Sequence, residues 1–407
     1  MRNWLLPEFI EDILPAEAQH IEQLRRTILD LFRVHGFELV MPPLIEYVES
    51  LLTGAGGDLD LKTFKLVDQL SGRLLGLRAD ITPQAARIDA HLLNRPGITR
   101  LCYAGSIMHT LPSGLTRTRE PLQIGAELFG HAGLESDVEI QRLMLEALRT
   151  IGIANVHLDL GHVAVFRSLV RHADIPPAVE ADLFRALQAK DIPAVRALAV
   201  PFAPEIRQAL ALLPELYGGA ETLDRAAKSL PAFADIAAAL RDLRAVAERL
   251  GDLQVTCCFD LAELRGYQYQ NALVFAAYVD GWPNAIAQGG RYDEVGKAFG
   301  RARPATGFSM DLRELAAIAP RLPDSAPIRA PCANDAALNE AIATLRAQGE
   351  IVFIDLPGHG AERSAVSHHR QLVCRNGHWE VAVDTTDAAG SASSNQPRKN
   401  ACPETSS

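Results

Sequence analysis

The stretch QIGAE at 123–127 places an amide and a carboxylate on either side of a glycine. In an extended strand side chains alternate between faces, so Gln123, Gly125 and Glu127 share one face and Ile124, Ala126 and Leu128 the other. The apolar set suits a core. The polar set leaves a gap free of side chains between a neutral amide and an anion, an arrangement suited to holding a small polar molecule. Taken singly, a Gln or Glu on a strand usually faces solvent. Four further stretches give the pair company: GLRADITPQ at 76–84, LRGYQYQ at 264–270, QGGRYD at 288–293 and ATGFSMDLREL at 305–315. Alone, Gly289-Gly290 reads as a turn. Tyr267 and Tyr269, on one face of an expected strand, read as packing at the edge of a core. Only the ordered set reads as a pocket.

The elements that must carry these residues are visible in the periodicity. Ile21, Leu24, Ile28, Leu31 and Phe32 form a helical stripe across 15–35, and Gly36 supplies a left-handed stop. A strand over FELVM ends at Pro42-Pro43. Two short strands lie around Ser71-Gly72 within 62–78. Longer strands at 101–109 and 120–130 flank the polar loop LPSGLTRTR, and a helix over 136–151 precedes a strand starting at Val156. From about 163 to 250 the chain is rich in Ala, Leu, Arg and Glu and broken at Pro176-Pro177, Pro193, Pro214 and Pro231, which predicts a block of short helices. Strand character returns at VTCCFDL, QNALVFAAYVD and NAIAQGG, with helices from near Tyr292 and over 310–319. Residues 321–331 read as a proline-rich linker. A small unit at 332–383 follows, with a helix near 335–348, a buried strand EIVFIDL and a hairpin on Asn376-Gly377. The last residues, 384–407, have almost no apolar side chains and are expected to stay disordered.

Composition narrows the partners. The 407 residues are 48 % hydrophobic and carry a formal charge of −10, enough for two or three domains. An acidic balance disfavours a surface built to grip nucleic-acid phosphates. Glu8, Glu11 and Asp12 follow the first arginine closely, unlike a signal peptide, and no apolar run nears the ~20 residues of a membrane span. The six cysteines contain no CxxC pair, and Cys257-Cys258 reads as buried free thiols. The expected setting is cytoplasmic and reducing. His109, His359, His368, His369, His378 and Cys374 match no defensible zinc spacing, so neither metal nor cofactor is expected.

In their order, the five stretches resemble the catalytic core of the class II aminoacyl-tRNA synthetases, specifically the histidyl branch. RGYQYQ is similar to its RG-plus-tyrosine-pair signature and QGGRYD to its second signature. The resemblance covers about residues 1–320 and implies an α+β fold: an antiparallel sheet flanked by helices, with a helical insertion and a small C-terminal α/β unit. It also implies a histidine pocket. Asp80, where that family has Glu, and Thr82 would lie near the ligand ammonium; Gln123 and Glu127 would hold its ammonium and carboxylate ends. Arg265 matches the signature arginine, and Tyr292 a tyrosine beside the imidazole. Gln270 replaces the second tyrosine of the pair. Elementary chemistry agrees: an amino-acid zwitterion with an imidazole needs carboxylates, an amide and arginine, and aromatic or amide groups for the ring.

Amino-acid activation brings a carboxylate against the ATP α-phosphate, and cations must offset the charge that develops. In the synthetases two arginines supply much of this positive charge, the first followed two residues later by a glutamate. Here the first arginine position holds His109 and the acidic position Leu111. Glu314 takes the second arginine position, with Arg313 one residue early, and a one-residue slip on a helix turns a side chain by ~100°. Arg117 and Arg119 remain in the loop. The amino-acid half of the site is kept and the nucleotide half lost, so no catalytic residue is expected.

The C-terminal unit is also shorter than a synthetase anticodon-binding domain. The combination resembles the synthetase-like regulatory subunits of ATP phosphoribosyltransferase. That resemblance implies a non-catalytic partner of a short-form catalytic subunit, in a hetero-octamer built on a self-dimer through the core, with histidine as feedback effector and no tRNA or membrane partner. The alternative is an active ligase that forms histidyl-adenylate; a third reading is a scaffold with a vestigial pocket.

Overall fold

The computed structural model describes residues 4–53, 57–112, 118–267, 269–321, 326–357 and 370–383. Contacts divide the chain into two units, Met1–Pro320 and Arg321–Ser407. In the first unit the strands are β1 Glu38–Leu39, β2 Ile45–Tyr47, β3 Lys65–Val67, β4 Leu74–Leu77, β5 Thr99–Ser106 and β6 Leu122–Phe129, then β7 Val156–His162, β8 Tyr217–Gly218, β9 Thr256–Asp260, β10 Leu273–Val279, β11 Ala287–Arg291 and β12 Ala305–Asp311. Among the described residues, nine form one sheet in the order β1-β5-β6-β12-β11-β10-β7-β9-β8, and β2, β4 and β3 form a small separate sheet. Only β1 with β5 and β7 with β9 pair in parallel within the large sheet. The expected antiparallel sheet flanked by helices is what forms.

One face of the large sheet makes most of the core, and Leu101, Tyr103 and Phe129 join a smaller cluster on the other. Helix Pro15–Val34 begins with proline at its first position, where the missing N–H costs nothing. It buries Ile21, Leu24, Ile28 and Phe32 and ends where Gly36 adopts φ +84°. That stripe, helix Leu134–Thr150 and helix Leu312–Ile318 pack with Ile124, Ala126, Leu128, Phe308 and Met310. Alternation then sends Gln123, Gly125, Glu127, Gly307 and Ser309 to the opposite face. Register between core and site is thereby set by packing: a one-residue slip would turn the polar row into the apolar core.

The predicted insertion is helical, running from Val163–His172 through Pro177–Gln188, Ile192–Ala199, Pro204–Leu212 and Glu221–Ser229 to Ala234–Leu250. Its prolines start helices as much as they end them. The helix expected from near Tyr292 is instead a short 3-10 turn, Val295–Phe299, because Gly296 and Gly300 favour tight turns over a regular helix. The strand expected at FELVM is confined to β1.

The second unit contains β13 Ile328–Ala330, β14 Val352–Ile354, β15 Arg370–Arg375 and β16 His378–Val383 in the order β14-β13-β15-β16, with helix Ala336–Ala347 against them. The expected linker ends sooner than 331. Its residues Ile328 and Ala330 are fully buried, and β13 is the inner strand that pairs with both β14 and β15. Pro327 and Pro331 hid it by bracketing the strand with linker-like residues. EIVFIDL is an edge strand with only Val352 well buried. The Asn376-Gly377 hairpin forms as expected, both residues at positive φ. The expectation of a disordered 384–407 tail falls outside the described residues, as do Arg117, His359, His368 and His369. No helix among the described residues is long and apolar enough to cross a membrane.

Candidate functional site

Register builds the floor of the site. Glu127 lies opposite Gly307, and Gly307 opposite Gly290. A Cβ on Gly307 would stand 1.5 Å from Glu127 Oε2, and one on Gly290 2.6 Å from the Leu273 carbonyl. These two glycines let the Glu127 carboxyl lie over the sheet and leave a bare floor beside it. Above that floor opens a cavity of about 440 Å³, lined by Asp80, Thr82, Glu127, Arg265, Gln270 and Tyr292 among others. Six of the seven residues expected to hold a ligand therefore share one cavity. The seventh, Gln123, lines the neighbouring cavity, which shares Asp80 and Arg265 with the first.

The gap between Gln123 and Glu127 is not where a ligand fits. Gly125 faces Tyr103 across β5, and a Cβ there would meet the Tyr103 hydroxyl at 2.6 Å. The phenol fills the gap and bridges Thr82 Oγ1 to Glu127 Oε1, 2.9 Å from each. The two strand residues consequently serve opposite ends. Gln123 Nε2 donates to Asp80 Oδ1 at 2.8 Å, and its Oε1 accepts from Ile81 N at 2.9 Å. Asp80 also accepts from Thr82 N at 3.0 Å. Glu127 belongs to the aromatic end: Tyr292 donates to its Oε2 while Tyr103 donates to Oε1. It is 1 % exposed, and burial pushes its carboxyl up to about 8 against the pull of the two phenols. The same burial, beside Glu127, drives the Tyr103, Tyr269 and Tyr292 hydroxyls well above the usual phenol range.

Residues 265–267 and 269 lie in turns rather than the expected strand, so Tyr267 and Tyr269 part company. Tyr267 packs on Phe166 and Phe184 and donates to Glu180 Oε1 at 2.6 Å. Tyr269 turns to the site, its ring 4.9 Å from that of Tyr292. The Tyr269 hydroxyl and Gln270 Oε1 are both buried with no hydrogen-bond partner among the described residues. Unpartnered buried polar atoms are costly, and both residues line the aromatic end of the cavity. Arg265 stands at the other side, paired with Glu263 Oε2 at 3.0 Å and with the Tyr278 hydroxyl. Tyr103 and Tyr269 are thus the site residues that sequence reasoning missed; the Gly125 gap, read across the strand pair, was the signal for Tyr103.

On the expected nucleotide side the family's clamp positions are replaced or engaged elsewhere, while Lys62 and Arg265 line the cavity. His109 is buried, its Nε2 3.0 Å from the Ala79 carbonyl, and burial lowers its pKa. Leu111 is exposed. Glu314 lines the second cavity and accepts from Asn284 Nδ2 at 3.3 Å. Arg313 turns away to Glu120 at 3.4 Å and Glu11 at 3.7 Å. Arg119 spends its Nε on the His109 carbonyl at 3.2 Å and stacks on Phe64.

Comparison with known proteins follows the same outline. The sequence profile of the family described as Histidyl-tRNA synthetase matches residues 9–315, and that described as ATP phosphoribosyltransferase subunit HisZ C-terminal domain matches residues 325–382. The chain is 62 % identical over 379 residues to an ATP phosphoribosyltransferase regulatory subunit of Ralstonia pickettii, covering 93 % of this chain and 97 % of the relative. It is 57 % identical over 383 residues to the protein of that name from Methylobacillus flagellatus, covering 94 % and 99 %. Among solved structures, an ATP phosphoribosyltransferase regulatory subunit/histidyl-tRNA synthetase from Bacillus halodurans superposes with a TM-score of 0.77 at 26 % identity, covering 88 % of this chain and 95 % of that one. A histidyl-tRNA synthetase from Nostoc, at 19 % identity and TM-score 0.74 over 92 % of each chain, shares the fold.

Proposed function

The chain belongs to the histidyl-tRNA synthetase-like family of ATP phosphoribosyltransferase regulatory subunits, and from that premise we propose that it binds free histidine and uses it to restrain a catalytic partner. The ligand ammonium would sit at the polar end, on Asp80 with Thr82 and Gln123. Arg265 would meet the carboxylate. The imidazole would enter the aromatic end, where Glu127, Gln270, Tyr269 and Tyr292 offer its edge acceptors and donors. This divides the ligand differently from a two-ended clamp by Gln123 and Glu127.

One observation carries the reading. A cavity of about 440 Å³ keeps carboxylates, an arginine and orphaned polar atoms around a glycine floor, while His109, Leu111 and Glu314 stand where a nucleotide would need positive charge. The chain would then be non-catalytic itself. It would enable the short-form catalytic subunit that starts histidine biosynthesis, in a hetero-octamer resting on a dimer of this chain. Inhibition follows from linkage: histidine that prefers one conformation of the assembly shifts the population toward it.

Calorimetry tests the pocket. Histidine should bind the wild-type chain, and Glu127→Ala should weaken it by roughly 1–3 kcal/mol, the cost of leaving a buried hydrogen-bonding group without its partner. Adding the chain to the purified catalytic subunit should restore phosphoribosyl transfer that histidine then suppresses. A chain that leaves transfer unchanged would overturn the regulatory role. Histidine-dependent exchange of pyrophosphate into ATP would establish the ligase instead.

A further inference from the structure

The two cavities meet along a shared wall, and Lys62, Asp80 and Arg265 are the charged side chains that line both. We propose that Lys62 is a specificity-determining residue of the histidine site: its ammonium, beside Arg265, receives the α-carboxylate of the ligand and makes the site select the free amino acid over amines that lack that group. The inference rests on the histidine reading and adds to it the residue that reads the carboxylate.

The covalent structure of the ligand fixes where its carboxylate lies. Ammonium and carboxylate are borne on one carbon, so an ammonium on Asp80 keeps the carboxylate at the junction of the cavities. Arg265 alone is a poor receiver there. Its Nη2 is 3.0 Å from Glu263 Oε2, and Asp159 also acts on its charge. Glu263 lines the same cavity, so a carboxylate arriving at Arg265 meets a second carboxylate, and like charges repel. A further cation is needed to offset that repulsion.

Lys62 meets that need. Its backbone is anchored: Thr110 N donates to the Lys62 carbonyl at 3.0 Å, and Thr110 Oγ1 to the Leu61 carbonyl at 2.6 Å. Its side chain is exposed and, among the described residues, has neither an ion-pair nor a hydrogen-bond partner. Lys65, on the same segment, is instead paired with Asp60 at 2.7 Å. A lone surface lysine is ordinarily just solvated; this one stands at the wall that the two cavities share. Burial, and with it the Lys62 charge, lowers the His109 pKa, which sets the ammonium close to that wall. With Arg265 offset by Glu263, Asp80 and Lys62 remain as opposite charges that do not pair with each other among the described residues. A zwitterion between them would satisfy both.

Titration calorimetry on the full chain tests it, with L-histidine as ligand and L-histidinol, which carries a hydroxymethyl group in place of the carboxylate, as comparison. The wild-type chain should bind histidine more tightly than histidinol. Lys62→Met should weaken histidine about five- to tenfold, as expected of a charged contact at a cavity mouth, and leave histidinol unchanged. Lys62→Arg keeps the charge and should keep most of the histidine affinity. Histidine affinity that Lys62→Met leaves intact would overturn this inference alone. So would parallel losses for both ligands, which would mean that the segment is only structural, or a loss in Lys62→Arg as large as in Lys62→Met. Wild-type binding of histidinol as tight as that of histidine would overturn it as well. A wild-type chain that binds no histidine would overturn the histidine reading, and this inference with it.

Discussion

Glu127 is the residue on which the chemistry turns. It is a carboxyl held by two phenols and cut off from solvent, with a pKa raised in the fold from 4.5 to about 8. The folded chain thus keeps a proton that the unfolded chain releases. The stabilisation this represents is fully present below the unfolded value of 4.5 and is lost as pH rises through about 8. Glu127→Gln cannot titrate. The melting temperature of the ligand-free wild-type chain, measured against this variant from acid to mildly alkaline buffer, should fall steadily across that window and then level off. A constant difference would mean that the carboxyl is ionised throughout. Tyr103 acts through Glu127 and Thr82. Tyr103→Phe strips a donor from a buried carboxyl and should cost roughly 1–3 kcal/mol in urea unfolding.

At the scale of elements, the site depends on three adjacent strands, β6, β12 and β11, whose facing residues are Glu127, Gly307 and Gly290. Here a missing side chain is the functional feature. Gly307→Ala would drive a methyl into the Glu127 carboxyl, and the carboxyl has nowhere to retreat between Tyr103 and Tyr292. Histidine binding should be lost and thermal stability reduced. Gly251→Ala, at ordinary helical φ with nothing within 4 Å of the new methyl, should stay within about 0.5 kcal/mol of wild type. In the second unit, Asp335 accepts from Ala337 N and Trp379 Nε1, each at 2.8 Å. Asp335→Ala removes a helix cap and should cost about 1–2 kcal/mol, seen as exchange protection lost only within residues 328–383.

For the whole molecule, each unit has hydrophobic packing of its own: two sets of buried residues lie in the first unit, and Ile328, Ala330, Leu338, Ile342, Val352 and Leu372 form the core of the second. Every described residue that lines either cavity lies in Met1–Pro320. A chain ending at Pro320 should therefore fold cooperatively and bind histidine as tightly as the full chain. Weaker binding would mean that the second unit shapes the pocket from outside it. The acidic balance of the chain belongs to this scale too, since it argues against an RNA-gripping surface.

Much of the fold was legible in the linear pattern. The stripe from Ile21 to Phe32, the alternation through QIGAE and the Asn-Gly hairpin are local signals, set by periodicity and turn chemistry that neighbouring residues carry among themselves. The membership of the pocket was legible as well, because Asp80, Thr82, Glu127, Arg265, Gln270 and Tyr292 sit in ordered motifs. Pairing across strands decided the rest. That Tyr103 occupies the space over Gly125, that Gln123 turns to Asp80, and that Tyr269 faces inward while Tyr267 does not, all depend on which residues tertiary packing sets opposite one another. No amount of local patterning encodes a distance between β5 and β6, and it is that distance which converts a gap in the sequence into a hydrogen-bonded phenol.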